Sequence, residues 1–170
     1  MHSMSRIKAS GGMPSRELGQ VAPPRGCTCF KLRRLSRRVT AVYDRALAAA
    51  GMRVTQYSLL GHLRGLSGVP ISELAAMLDM DRTTLTRNLR PLLEARWVEV
   101  RSSDQDARVR LVRLTSAGDA RWKAARAFWR QAQDEVNTTI GADSLAALHQ
   151  MLDSYVPLFR PVTGNEGDFE

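Results

Sequence analysis

Two cysteines, Cys27 and Cys29, are all that this chain of 170 residues contains, so no disulfide framework can hold it, and at this length none is needed. No stretch approaches the ~20 consecutive apolar residues of a membrane span. The first 26 residues also lack the apolar segment of an export signal, which with the scarce cysteine points to a reducing cytoplasm. No Gly-rich phosphate loop, metal-ligand cluster or nucleophile–His–acid arrangement is visible, and His2, His62 and His149 are scattered. Nothing therefore indicates an enzyme, a cofactor or a metal. Lysine is nearly missing too: only Lys8, Lys31 and Lys123 occur, and every other basic residue is arginine. Arginine is the better fork for phosphates and base edges, although codon usage in a G·C-rich genome gives the same bias.

What is present is positive charge. The 25 Lys and Arg against 17 Asp and Glu leave +8, an excess that suits a polyanionic partner, nucleic acid or an anionic membrane, or else a merely solvated surface. The excess is uneven. It sits in the first fifty residues, whereas residues 114–170 are net negative.

Residues 1–26 are rich in Gly, Pro and Ser and read as a flexible basic arm, with Arg6, Lys8, Arg16 and Arg25 free to touch phosphate or idle. From Cys27 to Ala50 an amphipathic helix is expected, with Phe30, Leu35, Val39, Val42, Ala46 and Ala50 on one face and Gly51 as its stop. Thr55 offers a cap to a second helix over residues 56–65, and 66–70 reads as a loop. Ser72 is placed to cap a short helix, 73–78; a tight turn follows, and Asp81 is placed to cap a third over 82–95. Met80 and Leu85 occupy the positions of a hydrophobic staple on that helix. Two short helices joined this way form a helix-turn-helix unit. Residues 97–101 and 108–114 are strand-like around a polar turn, so a β-hairpin wing should follow. Thr115 then caps a long helix, 116–140, and a last helix covers 143–159 before a polar, acidic tail at 161–170. The chain divides into the arm (1–26), a first helical segment (27–53), a winged helix-turn-helix (54–115), C-terminal helices (116–160) and the tail. The fold class is mainly α with a small β-hairpin wing.

With Leu85, Leu89 and Leu92 toward the core, a turn of about 100° per residue puts Arg87 nearly opposite them. Thr83 and Arg90 flank it, Thr84 stands at the edge, and Arg82 opens the helix. Hydroxyls at a helix N-terminus suit phosphates and base edges, and an Arg one turn in can grip the O6/N7 pair of guanine. The alternative is a polar face that is simply solvated. In the hairpin, Arg108 and Arg110 are the candidate contacts. Asp106 lies two residues before Arg108, so on one extended face its carboxylate could hold that guanidinium for a narrow minor groove. A surface ion pair of negligible worth is the other reading.

These residues carry a resemblance. VTQYSLLGHL, ISELAAMLDMDRTTLTRNLRPLLEARWV, the wing RSSDQDARVRLVRL and the junction LTSAG resemble a MarR-type winged-helix repressor from about Cys27 to Phe159. The Asp106-x-Arg108 pair followed by Leu114, Thr115 and Gly118 is the most specific part. The resemblance implies a cytoplasmic homodimer joined through the first and last two helices, so that 27–53 and 116–160 become dimerisation segments. It further implies one recognition helix per major groove of a pseudo-palindromic double-stranded DNA operator, repression of a neighbouring promoter, and release by a small ligand or an oxidant. Pro91, inside the recognition helix, departs from the pattern and should bend or end regular helix nearby. A sequence-blind, charge-driven DNA-binding module is the competing function.

Cys29 and the residues after it, through Tyr43, resemble the first helix of the organic-hydroperoxide-sensing branch of that family. The resemblance makes Cys29 the reactive thiol and Tyr43 one of its tyrosines; Arg33 and Val54 stand where the branch has two more. Inert cysteines are the plain alternative. Tyr57 and His62, with Trp122 and Trp129, either line a cavity for a small aromatic effector or belong to the core. Part of the first helix's positive charge is expected to meet the acidic last third of a partner subunit.

Overall fold

A computed structural model describes residues 25–103, 105–106 and 108–159. Residues 1–24 of the expected arm, Asp104 and Ala107 of the wing, and the polar tail lie outside the described residues.

Helix α1 spans Thr28–Leu47, and a 3-10 turn, Ala48–Ala50, finishes it. Gly51 stops it as expected. With φ of 59° it adopts the left-handed conformation, so that Met52 N–H donates to Leu47 O and Gly51 N–H to Ala48 O. Phe30 departs from the expected apolar face. It stands nine residues before Val39, a rotation of about 180°, and it is 59% exposed where Val39 is half-buried.

Helix α2 covers Val54–Leu63, and Thr55 is not its cap. Arg53 N–H donates to Gln56 Oε1 at 2.8 Å, while Val54 N–H donates to Asp44 Oδ1 of α1 at 2.8 Å. An acceptor from a neighbouring helix thus fills a role that a local hydroxyl usually takes. The expected loop at 66–70 ends in a short strand, β1, Val69–Pro70. Helix α3, Ile71–Met77, starts directly from Pro70, so Ser72 falls inside its first turn and caps nothing.

Helix α4, Arg82–Glu94, begins as expected: Thr84 N–H donates to Asp81 Oδ1 at 2.7 Å. Pro91 neither ends nor breaks it. Leu89 and Leu92, 2% and 0% exposed, anchor the helix on both sides of an outward-facing proline ring. The helices of this pair close alike. Met80 N–H donates to Ala75 O and Asp79 N–H to Ala76 O; Trp97 N–H donates to Leu92 O and Arg96 N–H to Leu93 O. Asp79 (φ 49°) and Arg96 (φ 57°) therefore take the left-handed position that Gly51 takes after α1.

Strands β2 (Val98–Ser102) and β3 (Arg110–Leu114) form the hairpin, and β1 pairs on the other side of β3 in an antiparallel sheet of order β1-β3-β2. Val112 lies opposite both Val69 and Val100, and its side chain is fully buried. Helix α5, Ser116–Ile140, starts where Gly118 N–H donates to Thr115 Oγ1 at 3.0 Å. Its buried Gly118, Ala125 and Ala132 recur every seventh residue, a small-residue stripe on the packed side of the helix. Helix α6, Ala142–Tyr155, is followed by a 3-10 turn, Val156–Leu158.

The core lies mostly in the winged-helix lobe, with the end of α1 and Ala125 of α5 packed into it. Leu47, Leu60, Leu63, Leu74, Leu85, Leu89, Leu92 and Val112 are its largest sealed side chains, each worth about 1.5–3 kcal/mol relative to exposure. By contrast no residue of α6 is buried, and Tyr155, Val156, Leu158 and Phe159 are all more than half exposed. A groove of about 410 Å³ between α1, α5 and α6 is lined by Leu32, Leu35, Val39, Ile140, Leu148 and Leu152, among others. The observed fold is mostly helical with a small antiparallel wing, as the sequence indicated.

Candidate nucleic-acid interface

The outer face of α4 is one continuous surface. Arg82, Thr83, Thr86, Arg87, Arg90 and Leu93 line a single open concavity, while Leu85, Leu89 and Leu92 are sealed behind them. Thr84 is half-buried at the edge, its amide tied to Asp81. Hydrogen bonds from Thr84 also hold the Asp81 carboxyl below its ordinary pKa, so it remains an acceptor for the helix end. Thr86 is a member of this face that sequence reasoning passed over. The signal was there: at about 100° per residue it falls between Arg90 and Arg82. Its hydroxyl donates to Arg82 O at 2.8 Å. Arg90 Nε donates to Glu94 Oε1 at 2.8 Å, which draws this guanidinium along the helix and away from Arg87.

The wing holds one correction. Asp106 does not grip the Arg108 guanidinium; its Oδ1 accepts the backbone N–H of Arg108 at 2.9 Å. The carboxylate shapes the turn, as a short Asp side chain two residues ahead of an amide does, and the Arg108 side chain is left exposed. Val109 N–H donates to Asp106 O and Ser103 N–H to Val109 O, which closes the tip. Arg110 Nη1 donates to Ser102 Oγ across the hairpin at 3.1 Å, and Arg101 pairs with Glu99 at 2.8 Å.

A second cleft, of about 370 Å³, opens between α1, α2 and α5. Tyr43, Val54, Tyr57, Ser58, His62 and Trp122 line it together with Gly61 and Trp129. Tyr57 stacks on Trp122 and on Trp129, with ring centroids 5.1 and 5.8 Å away. Arg64 also lies over the Trp122 indole, 4.1 Å from its centroid, and is fixed by Asp119 at 2.7 Å. Burial pushes the Tyr57 phenol up, against an opposing pull from Arg126, Arg130 and Arg64. His62 is exposed, and its Nδ1 lies 2.8 Å from Ser58 O, a carbonyl to which Nδ1–H donates. The structure thus brings Tyr57, His62, Trp122 and Trp129 together, as the sequence reading grouped them.

Comparison with known proteins places this geometry. Residues 50–109 match the family model described as MarR family. The M. tuberculosis transcriptional regulator MosR, solved in complex with DNA, is 36% identical, with 76% of this chain and 98% of that chain matched at a TM-score of 0.62. The chain belongs to the MarR family. Two further solved structures share the fold: an E. coli MarR mutant complexed with operator DNA (24% identity, 76% and 93% covered, TM-score 0.70) and Bordetella bronchiseptica BpsR (19%, 76% and 93%, 0.69). The BpsR structure is described as a mechanism for regulation of DNA binding by 6-hydroxynicotinic acid. A search of the curated proteins found no match.

Within this MarR-family chain, Cys29 and Tyr43 are not neighbours. Fourteen residues of helix separate them, about 21 Å at 1.5 Å per residue. The Tyr43 hydroxyl donates instead to Gln133 Oε1 at 2.6 Å, and burial raises its pKa. Both thiols are free and exposed, and Cys27 sits in extended conformation just ahead of α1, so only Thr28 stands between the two. The charge expected to cross to a partner subunit is met in one case within the chain itself: Arg45 of α1 pairs with Glu135 of α5.

Proposed function

We propose that the protein is a sequence-specific, double-stranded-DNA-binding transcriptional regulator that acts as a homodimeric repressor. The observation that carries this reading is the outer face of α4, where Arg82, Thr83, Thr86, Arg87 and Arg90 share one open surface. The exposed Arg108 and Arg110 of the adjacent wing extend it. Arg87 is the residue for a guanine edge, Thr83 and Thr84 are phosphate or base contacts, and Arg108 is the minor-groove contact. Homodimer formation is supported by the uncovered apolar side chains of α1 and α6, a surface too apolar for water alone. The aromatic cleft is the proposed seat of a releasing ligand, a small planar aromatic acid whose ring would lie against Tyr57 and Trp122 and whose charge would face the neighbouring arginines. Release by an oxidant would act through the exposed Cys29.

Selection from a pool of random duplexes tests the reading. The purified protein should enrich a pseudo-palindrome whose half-sites lie about one helical turn apart. Enrichment of no sequence over the starting pool, with tight binding at low salt, would leave only charge-driven, sequence-blind binding.

A further inference from the structure

Three segments that are distant in sequence meet at one arginine. Arg121, in the second turn of α5, donates from Nη2 to Ala50 O at the end of α1. The same guanidinium lies 5.4 Å from the ring of Trp97, the residue that leads into β2 of the wing. A Cβ on Gly51 would stand 3.0 Å from its Nη2, so the left-handed glycine that stops α1 also gives the guanidinium its room. Trp97 is in turn fixed through its backbone: its carbonyl accepts Thr115 N–H at 3.1 Å and the Thr115 hydroxyl at 3.0 Å. Arg121 Nε is sealed from solvent without a hydrogen-bond partner. An orphaned donor of this kind is costly and persists only where the surroundings over-determine the side chain's place.

We infer that Arg121 is a positioning residue, which fixes the angle between the DNA-reading lobe and the helical frame of α1 and α5. The reasoning is geometric. In the proposed dimer the helical frame is shared between two copies, and each lobe carries one recognition helix. The separation of the recognition helices is then set by how each lobe sits on the frame, and two half-sites are read together only when that separation fits the DNA repeat. Arg121 reaches the frame at Ala50 and the wing root at Trp97 with one rigid, planar group. A neighbouring clamp, Asp119 to Arg64 at 2.7 Å, holds the end of α2 to the same stretch of α5 but touches neither Ala50 nor Trp97. The inference rests on the dimeric DNA-reading function proposed above.

The test compares one half-site with two. Arg121→Met keeps the apolar stem and removes the guanidinium; Arg121→Lys keeps a charge and a donor without the planar group. Affinities of the full-length variants are measured on a duplex selected by the wild type and on the same duplex with one half-site scrambled. Loss of positioning should weaken the full site by about tenfold, within the usual range of coupling between sites, and leave the half-site within about twofold. Arg121→Met should also tolerate half-site spacings, one base pair longer or shorter, that the wild type rejects, while Arg121→Lys should recover part of the full-site affinity. Equal losses on full and half sites, or an unchanged spacing preference, would overturn the role of Arg121. Failure of the wild type to select any duplex would instead overturn the function beneath it.

Discussion

Replacing Gly118 by alanine sets two well-known effects against each other. Gly118 lies in the first turn of α5, and by helix propensity alone alanine should stabilise the chain by about 1 kcal/mol. The packing says otherwise. A Cβ at Gly118 would stand 2.1 Å from Trp97 O and 2.8 Å from a methyl group of Leu114, far inside contact distance. The obstacle is a backbone carbonyl, and it cannot retreat freely because it accepts the amide of Thr115 and shares the Thr115 hydroxyl with Arg96 O. Forcing a methyl into such a site costs about 1–3 kcal/mol, and each hydrogen bond stretched or lost adds about 0.5–1.5 kcal/mol. The net expectation is a destabilisation of about 2 kcal/mol after the propensity gain. At about 2–4 °C per kcal/mol for a chain of this size, the melting temperature falls by roughly 4–8 °C. The assay is thermal and urea unfolding at one fixed protein concentration, with Gly61→Ala as the control. There the added Cβ would be 3.2 Å from Trp122 Nε1, a looser contact than 2.1 Å and with a side-chain ring rather than a backbone atom. A Gly118→Ala protein that melts at or above the wild type would refute the argument, since propensity would then have won over packing.

The DNA face gives a contrast between two arginines. Arg87→Ala should cost about 1–3 kcal/mol of discrimination at one base position, whereas Arg108→Ala should lower affinity most where A·T-rich sequence flanks the half-sites; equal, sequence-blind losses from both would remove the base-reading role of Arg87. Acid unfolding reports on Asp119, whose carboxyl is held below its ordinary value by hydrogen bonds from Lys123 and Arg64. A depressed folded pKa contributes stability above the unfolded value of about 3.9 and loses it as pH falls through the folded one. Asp119→Asn should therefore lower the urea midpoint at pH 7 and approach the wild type at pH 2; an identical gap at both pH values would contradict the pairing. For the thiols, organic hydroperoxide should release the wild type from its duplex and leave Cys29→Ser bound, as read by gel shift. Release of both proteins alike would exclude Cys29 as the switch.

Much of the fold was legible because local chemistry and final structure agree. Gly51, Asp81 and Thr115 mark ends and starts of helices in the sequence and do so in the structure. Where the reading slipped, the deciding partner came from elsewhere in the chain. Thr55 and Ser72 carry capping hydroxyls, yet α2 starts on Asp44 of another helix and α3 on the fixed turn of Pro70. The ends of α3 and α4 fall within a residue of where the sequence put them, but the left-handed conformation at Asp79 and Arg96, taken without glycine, had no sign in the composition. Strand β1 is two residues long and exists only as a partner for β3, below any periodicity a window can detect. The recognition face was visible through its 3.6-residue repeat, apart from Thr86. The Asp106–Arg108 relation was not: the two-residue spacing was read for its side chains, and the bond goes to a backbone amide. The role of Arg121 was illegible altogether, since Ala50 and Trp97 are brought to it only by the fold.

Pro91 has a consequence for hydration. Lacking an N–H, it leaves the carbonyl of Arg87 without the donor that a helix normally supplies four residues on. A backbone acceptor deprived of its partner is satisfied by water wherever water can reach it. In the middle of α4, next to its central arginine, that carbonyl is therefore left to accept from water or from a donor on whatever surface docks there. On closing against a groove, a water held there would either stay as a bridge or yield to a donor on the partner, such as the amino group of a base. The proline thus adds an open backbone acceptor to the contact surface of α4.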